Sequence, residues 1–158
     1  MIFVTVGTQL AFDRLVEAVD VWAGAGEARE VFAQIGPGAY RPQHIAFEPF
    51  ISPEECRERM LAADAIVAHA GMGTIISALE LGKPLLVMPR QAALGEHRND
   101  HQLATAERFG ALGRLAVASD ATALAAKLDE LDALSAHERI GRYASDRLLT
   151  ALSTFIAA

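Results

Sequence analysis

The sequence predicts an α/β domain built on a doubly wound, mainly parallel sheet of six strands. Three observations carry that expectation. Short apolar, β-branched runs alternate with helical segments along the chain, the rhythm of parallel strands joined by crossover helices. Most of those runs are apolar throughout, as strands covered on both faces are. Each glycine-rich or strongly polar turn follows a strand, which gathers these turns at the carboxyl edge of the sheet, where such folds bind ligands. The 158 residues read as one domain, 1–158. A chain of that size buries roughly 70% of its unfolded surface.

Residues 2–6 form the first apolar run and stop at Gly7. Phe12, Leu15, Val16, Val19 and Trp22 then recur at helical spacing until Gly24-Ala25-Gly26. A second strand is expected over 30–35, cut by Gly36-Pro37-Gly38, and a third over 44–47 before Pro49. Ser52-Pro53-Glu54-Glu55 starts a helix that runs to about Ala62: serine at the N-cap, proline at the first position, acids in the first turn. The fourth strand is expected over 65–68, and a helix over 74–81 that Gly82 and Pro84 close. The fifth strand covers 85–88 and breaks at Pro89. A helix over 97–109, a sixth strand over 115–117 and helices over 121–131 and 136–155 complete the order.

Composition excludes several classes of function. Twenty acidic against fourteen basic residues give a net charge of −6, and only Lys83 and Lys127 are lysines. Nucleic acid and anionic membranes both select clustered basic residues, so neither is an expected direct partner. The single cysteine, Cys56, rules out an internal disulfide and suits a reducing cytoplasm. Met1-Ile2-Phe3-Val4-Thr5-Val6 has neither the basic start nor the apolar length of a signal peptide. No run approaches the ~18 apolar residues of a membrane helix. The hydrophobic content of 52% is high, so either both sheet faces are covered or some apolar surface awaits a partner, a homo-oligomer included.

Four features carry candidate chemistry. Gly7-Thr8-Gln9 joins the first strand to the first helix, where glycine lets backbone amides face an anion. An ordinary turn with Thr8 as the cap is the plainer reading, because the G-x-G-x-x-G of a dinucleotide turn is absent. His69-Ala70-Gly71-Met72-Gly73-Thr74 is more distinctive: its spaced glycines admit a phosphate closely, and Thr74 can cap the helix or bond the ligand. His69 reads as a ligand contact or as a core histidine at a strand end. Glu96-His97-Arg98-Asn99-Asp100-His101-Gln102 is a run of seven polar side chains of the kind that holds sugar hydroxyls. Metal binding competes there, since His97 and His101 fall on one face of the expected helix beside Asp100, but the Glu of H-E-x-x-H is replaced by Arg98. Arg90 follows the fifth strand and reads equally as a phosphate contact or a surface arginine. The chain has no D-x-D triplet, and Glu130-Leu131-Asp132 comes nearest, so no essential metal or other cofactor is expected.

Cys56 and Trp22 read as packing residues. In the last helix, about 136–156, Ile140, Tyr143, Ala144, Leu148, Leu152 and Phe155 make one apolar stripe that covers either the chain's own sheet or a partner.

On these residues the chain resembles the C-terminal domain of glycosyltransferase family 28. The carriers are Val4-Thr5-Val6-Gly7-Thr8 with Phe12-Asp13, His69 to Thr74, Gly82-Lys83-Pro84 and Glu96 to Gln102, all within residues 1–120. It is similar in kind to the single-domain subunits of two-component enzymes: the bacterial PssE type of exopolysaccharide synthesis, and the catalytic subunit that adds the second N-acetylglucosamine to the dolichol-linked oligosaccharide. The C-terminal half of MurG is a further relative. The resemblance implies a Rossmann-like domain, the C-terminal half of a GT-B fold, that binds a UDP-sugar.

It further implies that Gly7 and Thr8, with Gly71, Met72, Gly73 and Thr74, hold the diphosphate, that Gln9 beside them binds substrate, that Phe50 and Ile51 lie at the uracil, and that Glu96, His97, Asn99, Asp100 and above all His101 and Gln102 meet the sugar. The family's ribose-binding glutamate is replaced by Ser77, with Glu80 one turn on, which leans toward the exopolysaccharide type. The implied function is the donor-binding, catalytic subunit of an inverting transferase. A membrane-anchored PssD-type subunit would supply a lipid-linked acceptor and recruit this chain from the cytoplasm to the inner face of the membrane. His69, Glu96 and His97 are the candidate bases, and the sequence does not choose among them. A non-catalytic, nucleotide-sugar-binding enhancer is the alternative. An epimerase of related fold is disfavoured, because such enzymes keep both domains in one chain. The sugar stays open, with glucuronic acid favoured by the exopolysaccharide resemblance and by Arg98 as a carboxylate partner.

Overall fold

In the computed structural model, residues 1–26, 29–131, 150 and 153–154 are described. Six strands, β1 (Ile2–Thr5), β2 (Val31–Gln34), β3 (Ala46–Glu48), β4 (Ala65–His69), β5 (Leu85–Met88) and β6 (Ala116–Val117), form one sheet in the order β3-β2-β1-β4-β5-β6. Every pairing is parallel. Among the described residues they are accompanied by α1 (Asp13–Ala25), α2 (Pro53–Ala62), α3 (Met72–Leu81), α4 (His101–Ala111) and α5 (Ala121–Asp129). The expected α/β sheet is therefore present. The helix expected over 136–156 lies outside the described residues except at 150, 153 and 154.

Strand periodicity divides the core into two layers. Ile2 and Val4 of β1, with Val67 of β4, face Leu15, Val16 and Val19 of α1 and Leu124 and Leu128 of α5. Phe3, Ile66 and Ala68 point the other way, against Met60 of α2, Ile75, Ala78 and Leu79 of α3 and Ala106 of α4. Both faces are covered, which is why the strands carry so few polar residues. The edge strand β3 is the exception: Ala46 and Glu48 are exposed.

Several local predictions stand. Ser52 Oγ accepts from the Glu55 amide at 3.1 Å, with Pro53 opening α2. Gly82 closes α3 in the left-handed conformation, φ 66°. Lys83, next in line, donates from Nζ to the carbonyls of Leu61 (2.6 Å) and Ala63 (2.8 Å) and so places a cation on the carbonyl end of α2.

Other boundaries move. β3 covers 46–48 rather than 44–47, because the amides of Gln43 and His44 are taken by the buried carboxylate of Asp20 on α1. Burial alone would raise the Asp20 carboxyl; those amides and the Tyr40 hydroxyl outweigh it and hold it below its ordinary value. The bond to Asp20 pushes the Tyr40 phenol up to about 12. A second tether, Asp13 Oδ2 to the Ala39 amide at 3.0 Å, fastens the start of the same connection. The helix expected from His97 begins only at His101, and α3 begins at Met72, two residues before Thr74.

The strand order reverses between β1 and β4, so the crevice beyond their carboxyl ends is the place where this sheet can accept a ligand.

Candidate functional site

Thr5 lies opposite both Gln34 and Ala68, so the turns that leave β1, β2 and β4 are neighbours. Gly7 takes φ +77°, a conformation that favours glycine. The Thr5 hydroxyl donates to Gln34 Oε1 at 2.7 Å, and Gln34 Nε2 donates to the carbonyls of Gly7 and Pro49, both at 3.0 Å. One buried glutamine thereby ties the Gly7 turn to the segment leading into Phe50.

Across the crevice the His69 ring lies between Gly7 and Gly71. A Cβ on Gly7 would come within 2.9 Å of His69 Nε2, and one on Gly71 would overlap the ring. Both glycines are thus explained by one imidazole. Gly71 is also the N-cap of α3 and provides no side-chain cap. The first-turn amides of α3 have no intrahelical acceptor and carry the partial positive charge of a helix start.

These turns and the segment after β5 enclose a cavity of about 310 Å³. Gly7, Thr8 and Gln9 line it from the first turn, His69, Gly71, Gly73 and Thr74 from the second, and Arg90, His97, His101 and Gln102 from beyond β5. Among the described residues no aspartate or glutamate lines it, although the chain as a whole is acidic. Gly73, Thr74 and Ser77 line a second cavity of about 310 Å³ against α2, so Gly73 and Thr74 belong to both. Met72 is exposed at the start of α3, and Phe50 is 53% exposed outside the first cavity. Ile51 packs against the core layer that includes Met60 and Ile75, which accounts for it without a ligand.

The polar run divides into residues that reach the cavity and residues that hold the loop. Glu96 does not line the cavity. Its carboxylate accepts from Arg14 Nε (2.7 Å) and Nη2 (2.9 Å) and from the Gln91 amide (2.9 Å). Asp100 Oδ1 accepts from the Ala92 amide at 2.8 Å. Asn99 Oδ1 meets the His101 ring nitrogen Nδ1. The His97 and His101 rings meet edge to face, centroids 4.4 Å apart. His97 precedes α4, so the helical i, i+4 spacing behind the metal reading does not hold.

Arg90, read as a phosphate contact or a surface arginine, lines the cavity and is at the same time engaged by the fold. Only 2% exposed, it donates from Nη2 to the carbonyls of Val6 and Leu10, both at 2.8 Å, and from Nη1 to that of Ala11. Its guanidinium lies 4.6 Å from the centre of the Phe12 ring. Arg90 therefore pins the β1–α1 loop from below. Gln102, 4% exposed, accepts at Oε1 from the amides of Ala70 and Arg90, both at 3.2 Å, and joins the two turns from the first residues of α4.

His69 is held neutral. Burial, then the Arg90 charge, then His97 lower its pKa to about 4.

Sequence reasoning missed Arg14, Thr5 and Gln34. Each left a signal: Arg14 is a cation in the first turn of a helix, where the dipole disfavours it, and Thr5 and Gln34 are polar residues inside apolar strands. Trp22, read as packing, donates from Nε1 to Asp129 at 2.8 Å and so links α1 to α5.

The model for the glycosyltransferase family 28 C-terminal domain matches residues 1–141. Over 124 residues the chain is 31% identical to the human UDP-N-acetylglucosamine transferase subunit ALG13, covering 72% of this chain and 10% of that protein. The ALG13 subunit of Eremothecium gossypii is 43% identical over 68 residues, 42% of this chain and 32% of that one. The chain thus spans about a tenth of the length of the human relative. Among solved structures, MurG of Acinetobacter baumannii superposes with a TM-score of 0.63 at 20% identity, over 87% of this chain and 45% of that one. The solution structure of ALG13 gives 0.59 at 19% identity, over 96% and 93%. At these identities the likeness is one of fold.

Proposed function

The chain belongs to the glycosyltransferase family 28 C-terminal domain family, and from that premise we propose that it is the donor-binding, catalytic subunit of an inverting UDP-sugar glycosyltransferase. Its acceptor is a lipid-linked saccharide of exopolysaccharide or capsule synthesis, presented by a membrane-anchored partner of the PssD type. The observation that carries the reading is the carboxylate-free cavity at the β1/β4 crevice, where the Gly7 and Gly71 turns and the start of α3 meet. Glycine turns and a helix N-terminus at such a crevice are suited to a diphosphate. The relatives named as subunits of a UDP-N-acetylglucosamine transferase support a nucleotide-sugar donor and a second polypeptide. Among the described residues no helix is long and apolar enough to cross a membrane.

In the reaction the acceptor oxygen attacks the anomeric carbon as the bond from that carbon to the diphosphate oxygen breaks. UDP leaves with the electron pair, and the acceptor proton passes to a base. The diphosphate charge that develops is met by the amides of the Gly71–Thr74 turn and by the Thr74 hydroxyl. Of the three candidate bases, Glu96 is engaged by Arg14 and the Gln91 amide, and both ring nitrogens of His69 face Gln102 and Thr74. That leaves His97, at the cavity wall, as the base this chain provides.

An enhancer that binds the nucleotide-sugar without catalysing is the second reading, favoured by this thin supply of free bases. The chain is to be assayed for sugar transfer from a UDP-sugar panel, alone and with a membrane fraction from cells that express its partner. The proposal expects turnover only in the second case, reduced a hundredfold or more by His97→Ala, a typical general-base contribution being about 10²–10⁴. High turnover by the chain alone refutes the two-subunit reading, and an unaffected His97→Ala complex favours the enhancer.

A further inference from the structure

Gln102 lines the cavity, but its side chain is also engaged by the fold. The resemblance put its side chain on sugar hydroxyls, yet it is buried, and its oxygen is taken by two backbone amides, Ala70 N and Arg90 N, both at 3.2 Å. Those amides can only donate, so the amide orientation of Gln102 is fixed: the flipped side chain would oppose donor to donor. Its Nε2 therefore faces His69 Nδ1, at 3.3 Å. A carboxamide nitrogen also only donates, so Nδ1 must be the bare nitrogen of the imidazole. A neutral ring has one proton, which is then on Nε2. Nε2 lies 3.4 Å from Thr74 Oγ1, which accepts from it. The Thr74 hydroxyl hydrogen is released from that contact and is free to point elsewhere.

We propose that Gln102 is a positioning residue that fixes the His69 proton on Nε2, and that His69 in turn commits the Thr74 hydroxyl to donate into the cavity toward an anionic oxygen of the ligand. The ring assignment stands on this chain's hydrogen bonds alone. Only the identity of the ligand, a nucleoside diphosphate, rests on the reading given under Proposed function. The cavity shape agrees: the ring lies close against Gly7 and Gly71, and among the described residues no carboxylate in the lining competes for the Thr74 hydrogen. The groups facing His69 are Arg90 from the end of β5, His97 from the loop before α4, Thr74 from α3 and Gln102 from α4. The two charged or chargeable ones, Arg90 and His97, both disfavour an imidazolium.

The test is a long-range ¹⁵N–¹H correlation spectrum of the histidine rings in the full chain, with His69 assigned by its absence in His69→Asn. The proposal expects a protonated Nε2 and a bare Nδ1 at pH 7, unchanged at pH 6. An Nδ1–H tautomer, or an imidazolium at pH 6, overturns it. Gln102→Glu keeps the shape and the two backbone bonds but turns an acceptor toward Nδ1. His69 is then expected to carry a proton on Nδ1, and UDP affinity to fall about tenfold with the loss of one committed donor. A Gln102→Glu chain that keeps the bare Nδ1 overturns the proposal. If the variant does not fold, the wild-type spectrum decides alone. Wild-type protein that shows the expected tautomer but does not bind UDP supports the ring assignment and counts against the donor reading, so the two can fail separately.

Discussion

Replacing Arg90 by methionine separates the structural account of this residue from the phosphate contact its sequence position suggested. Arg90 makes three bonds to main-chain carbonyls and stacks on Phe12. A hydrogen bond to a charged group contributes about 1.5–3 kcal/mol, but the three losses are unequal. Leu10 is 41% exposed and Ala11 is exposed, so their carbonyls recover water. Val6 is 1% exposed, and its carbonyl is left dry. Taking about 2 kcal/mol for Val6, about 1 for the desolvated ring contact and about 0.5 for each solvated carbonyl gives roughly 4 kcal/mol, from which methionine packing recovers part. The expected cost is about 3 kcal/mol, or a fall in Tm of roughly 6–12 °C for a chain of this size. Urea unfolding followed by circular dichroism measures it. A variant within ~0.5 kcal/mol of wild type that no longer binds UDP would refute the reasoning and return Arg90 to the ligand.

Other outcomes follow from the same geometry. Because the His69 pKa is lowered to about 4 from its ordinary 6.5, the unfolded chain takes up the proton first as pH falls. The stability that the neutral ring contributes is complete above pH 6.5 and is lost on acidification toward pH 4. Wild type should therefore lose roughly 3 kcal/mol relative to His69→Asn over that interval, read from urea midpoints at matched pH. A double-mutant cycle on Arg14→Met and Glu96→Gln should give a coupling of about 1–2 kcal/mol, above the 0.2–1 of exposed pairs, because the pair is two-pronged and largely buried. Coupling near zero would release Glu96 as a candidate base. Gly71→Ala should displace the His69 ring, visible as shifted imidazole resonances, and weaken UDP binding; an unshifted ring contradicts the glycine argument.

The sheet was legible because its strands are mostly apolar and two of its helices carry clear end signals. Ser52 and Gly82 marked their helix ends correctly since each acts through bonds within three or four residues. The misplaced boundaries involve distant partners. Asp20 captures the backbone at Gln43 and His44 from 23 and 24 residues away and delays β3. Residues 97–100 read as the start of a helix, but the bonds of Glu96 to Arg14 and of Asp100 to Ala92 hold this segment in turns until His101. The site shows the same division. Its glycine turns were visible, because a backbone that must approach a ring or an anion has to be glycine. The partners of Arg90, 79 to 84 residues away, and of Glu96, 82 residues away, have no local signature. The reading of Arg90 as a phosphate contact or a surface arginine, and of Glu96 as a sugar contact or base, therefore did not include these bonds within the fold.

The central claim is that the carboxylate-free cavity at the β1/β4 crevice holds the diphosphate of a UDP-sugar. Calorimetric titration of the purified chain with UDP and a panel of UDP-sugars, with and without EDTA, tests it most directly. The account predicts saturable binding that EDTA leaves unchanged and that Gly71→Ala weakens. Binding that requires a divalent cation, or that survives Gly71→Ala at full strength, would contradict it.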